Sequence, residues 1–157
     1  MKILYLSSSS DFHIDLWAQY FTKHHSVYLF SDKENYLDDQ SFESVVVNHS
    51  AGLLGGILNF FGIKSHKLFQ INKLLSAKYY AFRVDALIKS EKIDVVHAHN
   101  LYYGYVVSFL KAKVPIIFTP MGSDIIIHAQ NNFIYKHMAR QAFHKAEVVT
   151  GDSLLVQ

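Results

Sequence analysis

Short, continuous apolar runs are the feature of this sequence that most constrains its fold. Runs of Val, Ile and Leu without alternating polar residues are typical of strands buried on both faces of a parallel sheet. Six strands are predicted on this basis, at Lys2–Leu6, Val27–Phe30, Val45–Val47, Ile93–Val96, Ile116–Phe118 and Glu147–Thr150. The pattern therefore predicts a parallel sheet at the centre of the fold.

Helical patterns lie between several of these strands. Asp11–Lys23 begins with a capping residue and repeats apolar side chains at helical spacing. Further helices are predicted at Leu68–Ile88, Tyr102–Leu110 and Phe133–His144. Strands that alternate with helices imply right-handed crossovers. The predicted fold class is α/β, a doubly wound, mainly parallel Rossmann-like sheet of about six strands with helices on both faces.

Composition narrows the class of protein. The chain has 157 residues, enough for one domain with a substantial core, and half of them are hydrophobic, which excludes a disordered chain. It has no cysteine, so disulfides and cysteine-ligated zinc are excluded. The apolar run after Met1 is too short for a signal peptide, and no run reaches the roughly 20 apolar residues of a spanning helix. We therefore expect a soluble, cytoplasmic domain.

Charge and apolar patterning bear on possible partners. The net charge of +2 is uneven, since the segment from Lys64 to Lys92 is basic, but no nucleic-acid motif accompanies it and nucleic acid is not an expected partner. Before this segment, Ala51–Ile63 is apolar and contains four glycines. It is either a loop that folds back onto the core or a flap that contacts an apolar acceptor or a membrane surface, with the basic helix facing anionic headgroups.

Three loops follow predicted strands and could carry chemistry, because ligands in open parallel sheets bind outside the carboxyl ends of the strands. The first loop, Ser7 to Asp11, contains Ser8, Ser9 and Ser10 at the start of a predicted helix. Hydroxyl and backbone N–H groups there bind phosphate or sugar oxygens, and the same residues can cap the helix. The chain lacks both the GxGxxG and the P-loop patterns, so a standard dinucleotide fold or an NTPase is not indicated.

The second loop ends with His97, His99 and Asn100. The two histidines are two residues apart on a strand and so point to the same face. Such a pair can ligate zinc together with Asp124, which gives a metal-dependent hydrolase as one alternative function. In the other interpretation His97 is a hydrogen-bonded residue of the sheet, and His99 and Asn100 reach the cleft.

The third loop, Thr119 to Asp124, follows a buried strand and a proline. Gly122 permits close approach of the backbone to a ligand. Ser123 and Asp124 supply a hydroxyl and a carboxylate that either bind sugar hydroxyls or cap the following segment.

Four segments, taken in order, carry a resemblance to a known family. They are MKILYLSSSS, IDVVHAHN, VPIIFTPMGSDI and KAEVVTGDS, and together they extend over essentially the whole chain. In this order the segments resemble the N-terminal, acceptor-binding domain of GT-B glycosyltransferases of the large retaining family 4.

The resemblance implies a fold, an activity and a set of site residues. The single domain of residues 1–157 would bind a glycan or lipid-linked acceptor, and a second, C-terminal domain that this chain lacks would bind the nucleotide-sugar. Full-length enzymes of this kind transfer the sugar with retention, here in cell-surface polysaccharide synthesis, and need neither metal nor cofactor. The residues that would line the cleft are Ser8, Ser9, Ser10, His99, Asn100, Met121, Gly122, Ser123 and Asp124.

The chain departs from the family pattern in three respects. Serines stand in the first loop where many relatives have glycines, and Met121 stands where many have a histidine that contacts the donor sugar. No two glutamates are separated by seven residues, the signature that binds the donor nucleotide. The 157 residues alone are therefore expected to transfer nothing, and a non-catalytic partner subunit of a split glycosyltransferase remains an alternative.

Overall fold

A computed structural model describes residues 1–7, 18, 20–31, 43–46 and 66–151 of the chain. In these residues six strands form one sheet in the order β3-β2-β1-β4-β5-β6, and every neighbouring pair is parallel. The strands are β1 (Lys2–Ser7), β2 (Ser26–Ser31), β3 (Glu43–Val46), β4 (Val95–His99), β5 (Ile116–Thr119) and β6 (Val148–Val149). The predicted parallel, Rossmann-like α/β fold is confirmed.

Three long helices are described: α1 (His66–Glu91), α2 (Asn100–Val107) and α3 (Phe133–Lys145). All three pack against the same face of the sheet, in a cluster with the alternate strand residues Leu4, Phe30, Val96 and Phe118. On the opposite face, Ala18 and Phe21 from a helical turn cover β1 and β2. The expectation of helices on both faces is therefore confirmed.

A glycine sets the distance between α2 and the sheet. Gly104 lies on the buried side of α2, and a Cβ atom added to it would overlap the ring of Phe118 on β5. The helix can lie this close only because the residue has no side chain.

Several predicted boundaries differ from the observed ones. The strand predicted at Ile93–Val96 begins later and extends to His99, so both histidines belong to β4. The segment after β5 was expected to be a loop, but it is helical from Gly122 to Asn131 and includes a π-helical turn at Asp124–His128. The serines at 8–10 and the apolar segment Ala51–Ile63 lie outside the described residues, as does most of the first predicted helix. No helix in the described part of the chain is long and apolar enough to span a bilayer.

Candidate functional site

The sheet reverses its strand order between β1 and β4. The chain runs outward from β1 through β2 to β3, and then returns to place β4 on the other side of β1. Because all the pairings are parallel, the loops after β1, β4 and β5 leave the sheet at the same edge. Ligands of doubly wound folds bind in the crevice at such a reversal.

A row of polar side chains crosses the sheet at this edge. Ser7 pairs with Ser31 of β2, and His99 pairs with Thr119 of β5. The register of β1 with β4, in which Leu6 is opposite Ala98, places Ser7 beside His99 when it is continued by one residue. Residues opposite each other in a sheet point to the same face, so the four side chains form one continuous row. All four are buried.

On the same face, the ring of His99 forms an aromatic cluster with the rings of Tyr5 and His97. The rings of His97 and His99 have centroids 4.4 Å apart, and the ring of Tyr5 lies 5.0 Å from His97 and 6.0 Å from His99. Burial, and to a smaller extent the proximity of His99, lowers the pKa of His97 to about 3. Burial also raises the pKa of Tyr5 above its ordinary value. The His97 imidazole and the Tyr5 phenol are therefore both neutral at physiological pH.

A chain of hydrogen bonds joins β4, β5 and the residue that follows β6. His97 Nε2 and Thr119 Oγ1 share a hydrogen bond of 2.8 Å, and Thr119 Oγ1 shares a second, short one with Thr150 Oγ1. Buried polar groups cost free energy unless they are paired, and this chain supplies the pairing. His97 is thus the hydrogen-bonded sheet residue of the second interpretation made from the sequence.

The turn between β4 and α2 is held in an uncommon backbone conformation. Asn100 has a φ of 62°, in the left-handed region, where asparagine is better tolerated than most residues. Its side-chain oxygen accepts hydrogen bonds from the backbone N–H groups of Tyr102 (3.0 Å) and Tyr103 (3.2 Å). The Asn100 carboxamide oxygen therefore caps the helix.

Asp124 connects the loops that follow β4 and β5. Its Oδ2 accepts a hydrogen bond of 2.8 Å from the backbone N–H of Leu101, at the start of α2. Of the two roles that the sequence suggested, capping is the one observed, but the helix that Asp124 caps precedes it in the chain instead of following it. Asn100 and Asp124 together occupy three N–H groups of the first turn of α2.

The remaining residues of the third loop lie beside this connection. The backbone N–H of Asp124 donates to the carbonyl oxygen of Met121 at 2.9 Å. Met121 and Gly122 are partly buried, and Ser123 is exposed. The Ser123 hydroxyl is therefore accessible to a ligand at this edge.

The structure thus brings together the second and third predicted loops, through Asn100, Leu101 and Asp124, at the edge where β1 ends. Sequence reasoning missed Tyr5, Ser31 and Thr150 as parts of the polar face. The sequence of β1 contains a pattern that indicates this polar face, because Tyr5 and Ser7 alternate with Leu4 and Leu6. A strand with polar groups at every second position has one face suited to hydrogen bonding.

The alternative of a metal-dependent hydrolase gains no support from the described residues. They contain no group of three His, Asp or Glu side chains that could hold a metal ion. The carboxylate of Asp124, the third ligand suggested by the sequence, receives the Leu101 N–H. His97 shares its Nε2 with Thr119.

Comparison of the sequence with curated proteins finds no match. A family model described as "Glycosyl transferase 4-like" matches residues 2–153, which is nearly the whole chain. The chain belongs to the glycosyl transferase 4-like family.

Proposed function

We propose that this domain is the acceptor-binding half of a retaining glycosyltransferase. It takes a sugar from a nucleotide-sugar and passes it to a glycan or lipid-linked acceptor in the cytoplasm, as a step of cell-surface polysaccharide synthesis. The observation that carries the proposal is the buried polar row at the reversal point of the sheet, in a chain of the glycosyl transferase 4-like family. The crevice of such a sheet is where ligands bind.

The chemistry of this edge suits a polyhydroxylated ligand. Serine, threonine and neutral imidazole groups both donate and accept hydrogen bonds, as sugar hydroxyls do. In the proposal, Ser8, Ser9 and Ser10 reach the acceptor and the diphosphate, His99 and Asn100 border the acceptor cleft, and the segment Met121 to Asp124 lies near the transferred sugar. Asp124 also acts as a positioning residue, because it fixes the β5 loop against the β4 loop.

The nucleotide-sugar is bound mainly by a second domain in this proposal. The sequence contains no pair of glutamates with seven residues between them. Transfer therefore requires a donor-binding domain, either further along the polypeptide or on a separate subunit. In the second arrangement this chain is the partner subunit of a split enzyme.

Incubation with a panel of nucleotide-sugars and a lipid and glycan extract tests the proposal. The protein is expressed from its complete reading frame, together with any separately encoded donor-binding subunit. We expect one nucleotide-sugar to be consumed, with labelled sugar incorporated into the extract. Consumption of none of them, in a folded preparation, would contradict the proposal.

A substitution in the third loop tests whether this loop is part of the active site. Asp124→Ala removes a hydrogen bond to a charged group, worth roughly 1.5–3 kcal/mol, so kcat/KM should fall about 10- to 100-fold if the loop positions the sugar. Lys136→Gln, on the exposed side of α3, is the matched control and should leave kcat/KM unchanged. Thermal unfolding of both variants separates a loss of activity from a loss of fold. If both variants keep full activity, the third loop is not part of the site.

A further inference from the structure

A surface cavity lies at the amino ends of β5 and β6, and we call it the β5 cavity. Its volume is about 430 Å³, and small-molecule sites in proteins have volumes of roughly 300–1,000 Å³. One wall is the segment from Lys111 to Ile116, which joins α2 to β5, and the other is formed by Lys145 and Glu147, between α3 and β6. The polar row includes Thr119, the last residue of β5, so the β5 cavity and the proposed cleft lie at opposite edges of the sheet.

The charged side chains around the β5 cavity are mainly basic. Lys111, Lys113 and Lys145 supply three ammonium groups and Glu147 supplies one carboxylate, so the lining has a formal charge of +2. Within the described ranges, none of these lysines forms a salt bridge with Glu147 or with another carboxylate. A cleft lined by charge of one sign raises the local concentration of ions of the opposite sign. The lining therefore favours an anion.

Helix polarity explains only one of the three lysines. Lys145 is in the last turn of α3, where a cation stabilises the partial negative charge of the helix end. Lys111 and Lys113 lie outside any helix and have exposed side chains. Their position beside the cavity therefore has no explanation in the stability of the helices.

Hydrogen bonds hold both walls of the β5 cavity in place. The carboxylate of Asp85, on α1, accepts hydrogen bonds from the backbone N–H groups of Lys111 and Ala112. The ammonium group of Lys145 donates a hydrogen bond of 3.1 Å to the carbonyl oxygen of Leu110. An ammonium group has three N–H donors, so Lys145 retains two for a ligand. The cavity is therefore formed before any ligand binds.

Between the charged groups the lining is apolar. Ala112, Val114, Pro115 and Ile116 contribute this part of the surface. Small-molecule sites typically combine an apolar lining with a few polar groups that orient the ligand. The β5 cavity therefore suits a ligand that has both an anionic group and an apolar part.

We propose that the β5 cavity is a second ligand site, which binds a small organic phosphate. A phosphate monoester carries about two negative charges at neutral pH, which matches the charge of the lining, whereas a monocarboxylate carries one. Lysine ammonium groups bind phosphate as point charges, and the organic group contacts the apolar wall. The proposal is independent of the proposed function, because it uses only residues at the opposite edge of the sheet.

Isothermal titration calorimetry of the 157-residue chain at low ionic strength tests the proposal with four probes. Phenyl phosphate has both the dianion and an apolar group. Inorganic phosphate has only the anion, phenol has only the apolar group, and benzoate carries a single negative charge. We expect one site for phenyl phosphate and weaker binding of the other three probes. The affinity should decrease with added salt, because salt screens exposed charges.

Variants locate the bound probe. Lys111→Gln with Lys113→Gln should weaken the binding of phenyl phosphate by roughly two- to fivefold per lysine, the effect of an exposed ion pair. Glu147→Gln should strengthen it by a similar factor, since it removes the negative charge of the lining. Lys136→Gln with Arg140→Gln, on the exposed side of α3, removes two cations outside the lining. This control should bind phenyl phosphate as the wild type does.

Thermal unfolding without a probe separates a change in binding from a loss of fold in each variant. Absence of saturable binding of phenyl phosphate would overturn the proposal. Equal affinity for phenyl phosphate and inorganic phosphate would do so too, because the cavity would then not accept the organic group. An equal loss of affinity in the lysine variant and in the α3 control would attribute the binding to the net charge of the domain. Full affinity in the lysine variant would place the probe elsewhere, and either result would contradict the proposed site.

Discussion

The two faces of the sheet are built from different kinds of residue although the same strands supply both. The face under α1, α2 and α3 carries Leu4, Phe30, Val96 and Phe118, all apolar and buried. Among the described residues, the other face is apolar around Ala18 and Phe21, which cover β1 and β2, and becomes polar towards the carboxyl ends of the strands. The first face is stabilised by close packing, whereas on the second face the buried side chains of His97 and Thr119 are held by hydrogen bonds.

The two faces differ in what their residues contribute: the apolar face contributes stability, and the polar row contributes groups that can bind a ligand. An apolar face gains free energy from every side chain that it buries. A buried polar group costs free energy unless it is paired, so the row from Ser31 to Thr119 makes the sheet less stable than an apolar row of the same shape could. The polar row lies at the edge where the family's ligands are expected to bind. Hydroxyl and imidazole groups at this edge can form hydrogen bonds with a ligand.

The largest expected effect is on the helix-covered face. Phe118→Ala removes a fully buried ring that packs against Phe143 and Gly104. The free energy of unfolding should fall by roughly 3–5 kcal/mol, measured by urea denaturation. Phe133→Ala, at a ring that is 82% exposed, should change it by less than about 0.5 kcal/mol. Similar losses in the two variants would contradict the described packing.

On the polar face, stability should depend on pH through His97. Its pKa of about 3 lies below the ordinary value of 6.5, so the unfolded chain binds this proton at a higher pH than the folded chain. Folding stability is unaffected by His97 above pH 6.5 and falls as the pH decreases below it, by about 1.4 kcal/mol per pH unit. The expected loss from His97 at pH 5 is about 2 kcal/mol.

Denaturation of wild type and His97→Asn between pH 7.5 and pH 5 measures this effect, and the variant should show the weaker pH dependence. His144→Asn, at an exposed histidine of α3, is the control for the removal of one histidine. Identical pH profiles for wild type and His97→Asn would show that His97 is not buried in the neutral form.

The close approach of α2 to the sheet gives the third prediction. In Gly104→Ala the added methyl group meets the ring of Phe118. Overpacking of this kind costs roughly 1–3 kcal/mol, measured by denaturation. In a Phe118→Leu background the same substitution should cost less, because the ring edge is absent. Additive effects of the two substitutions would indicate that residues 104 and 118 do not touch.

The smallest expected effect is at the end of the hydrogen-bonded chain. Thr150→Val removes the hydroxyl that bonds to Thr119 while keeping the side-chain shape. The expected loss is roughly 0.5–1.5 kcal/mol, measured by urea denaturation. Ser90→Ala, which removes an exposed hydroxyl bonded to Leu87, is the comparison and should cost less. If Ser90→Ala lowered the free energy of unfolding more than Thr150→Val, the hydrogen bond of Thr150 would not stabilise the fold.

Local patterns in the sequence were sufficient to predict most of the fold. Uninterrupted apolar runs predicted all six strands of the described residues. For the central strands the reason is that a strand buried on both faces excludes polar residues by desolvation cost alone, whereas the short edge strand β6 is exposed. Helical spacing predicted α1, α2 and α3 to within a few residues. The π-helical turn at Asp124–His128 was missed, since the GSD motif there reads as a loop when its packing partners are unknown.

The sequence by itself determined the α/β class, the family and the candidate loops, because each of these is read from short segments and from their order along the chain. Only the tertiary structure decided that Asp124 bonds to Leu101, that His97 bonds to Thr119, and that Leu75, Tyr79 and Phe82 face solvent. The two hydrogen bonds depend on which strands are neighbours and on their register, and the exposure of the three apolar side chains depends on which face of α1 packs against the sheet. More than 20 residues separate the partners of each of the two hydrogen bonds, and no local pattern specifies a contact over that distance.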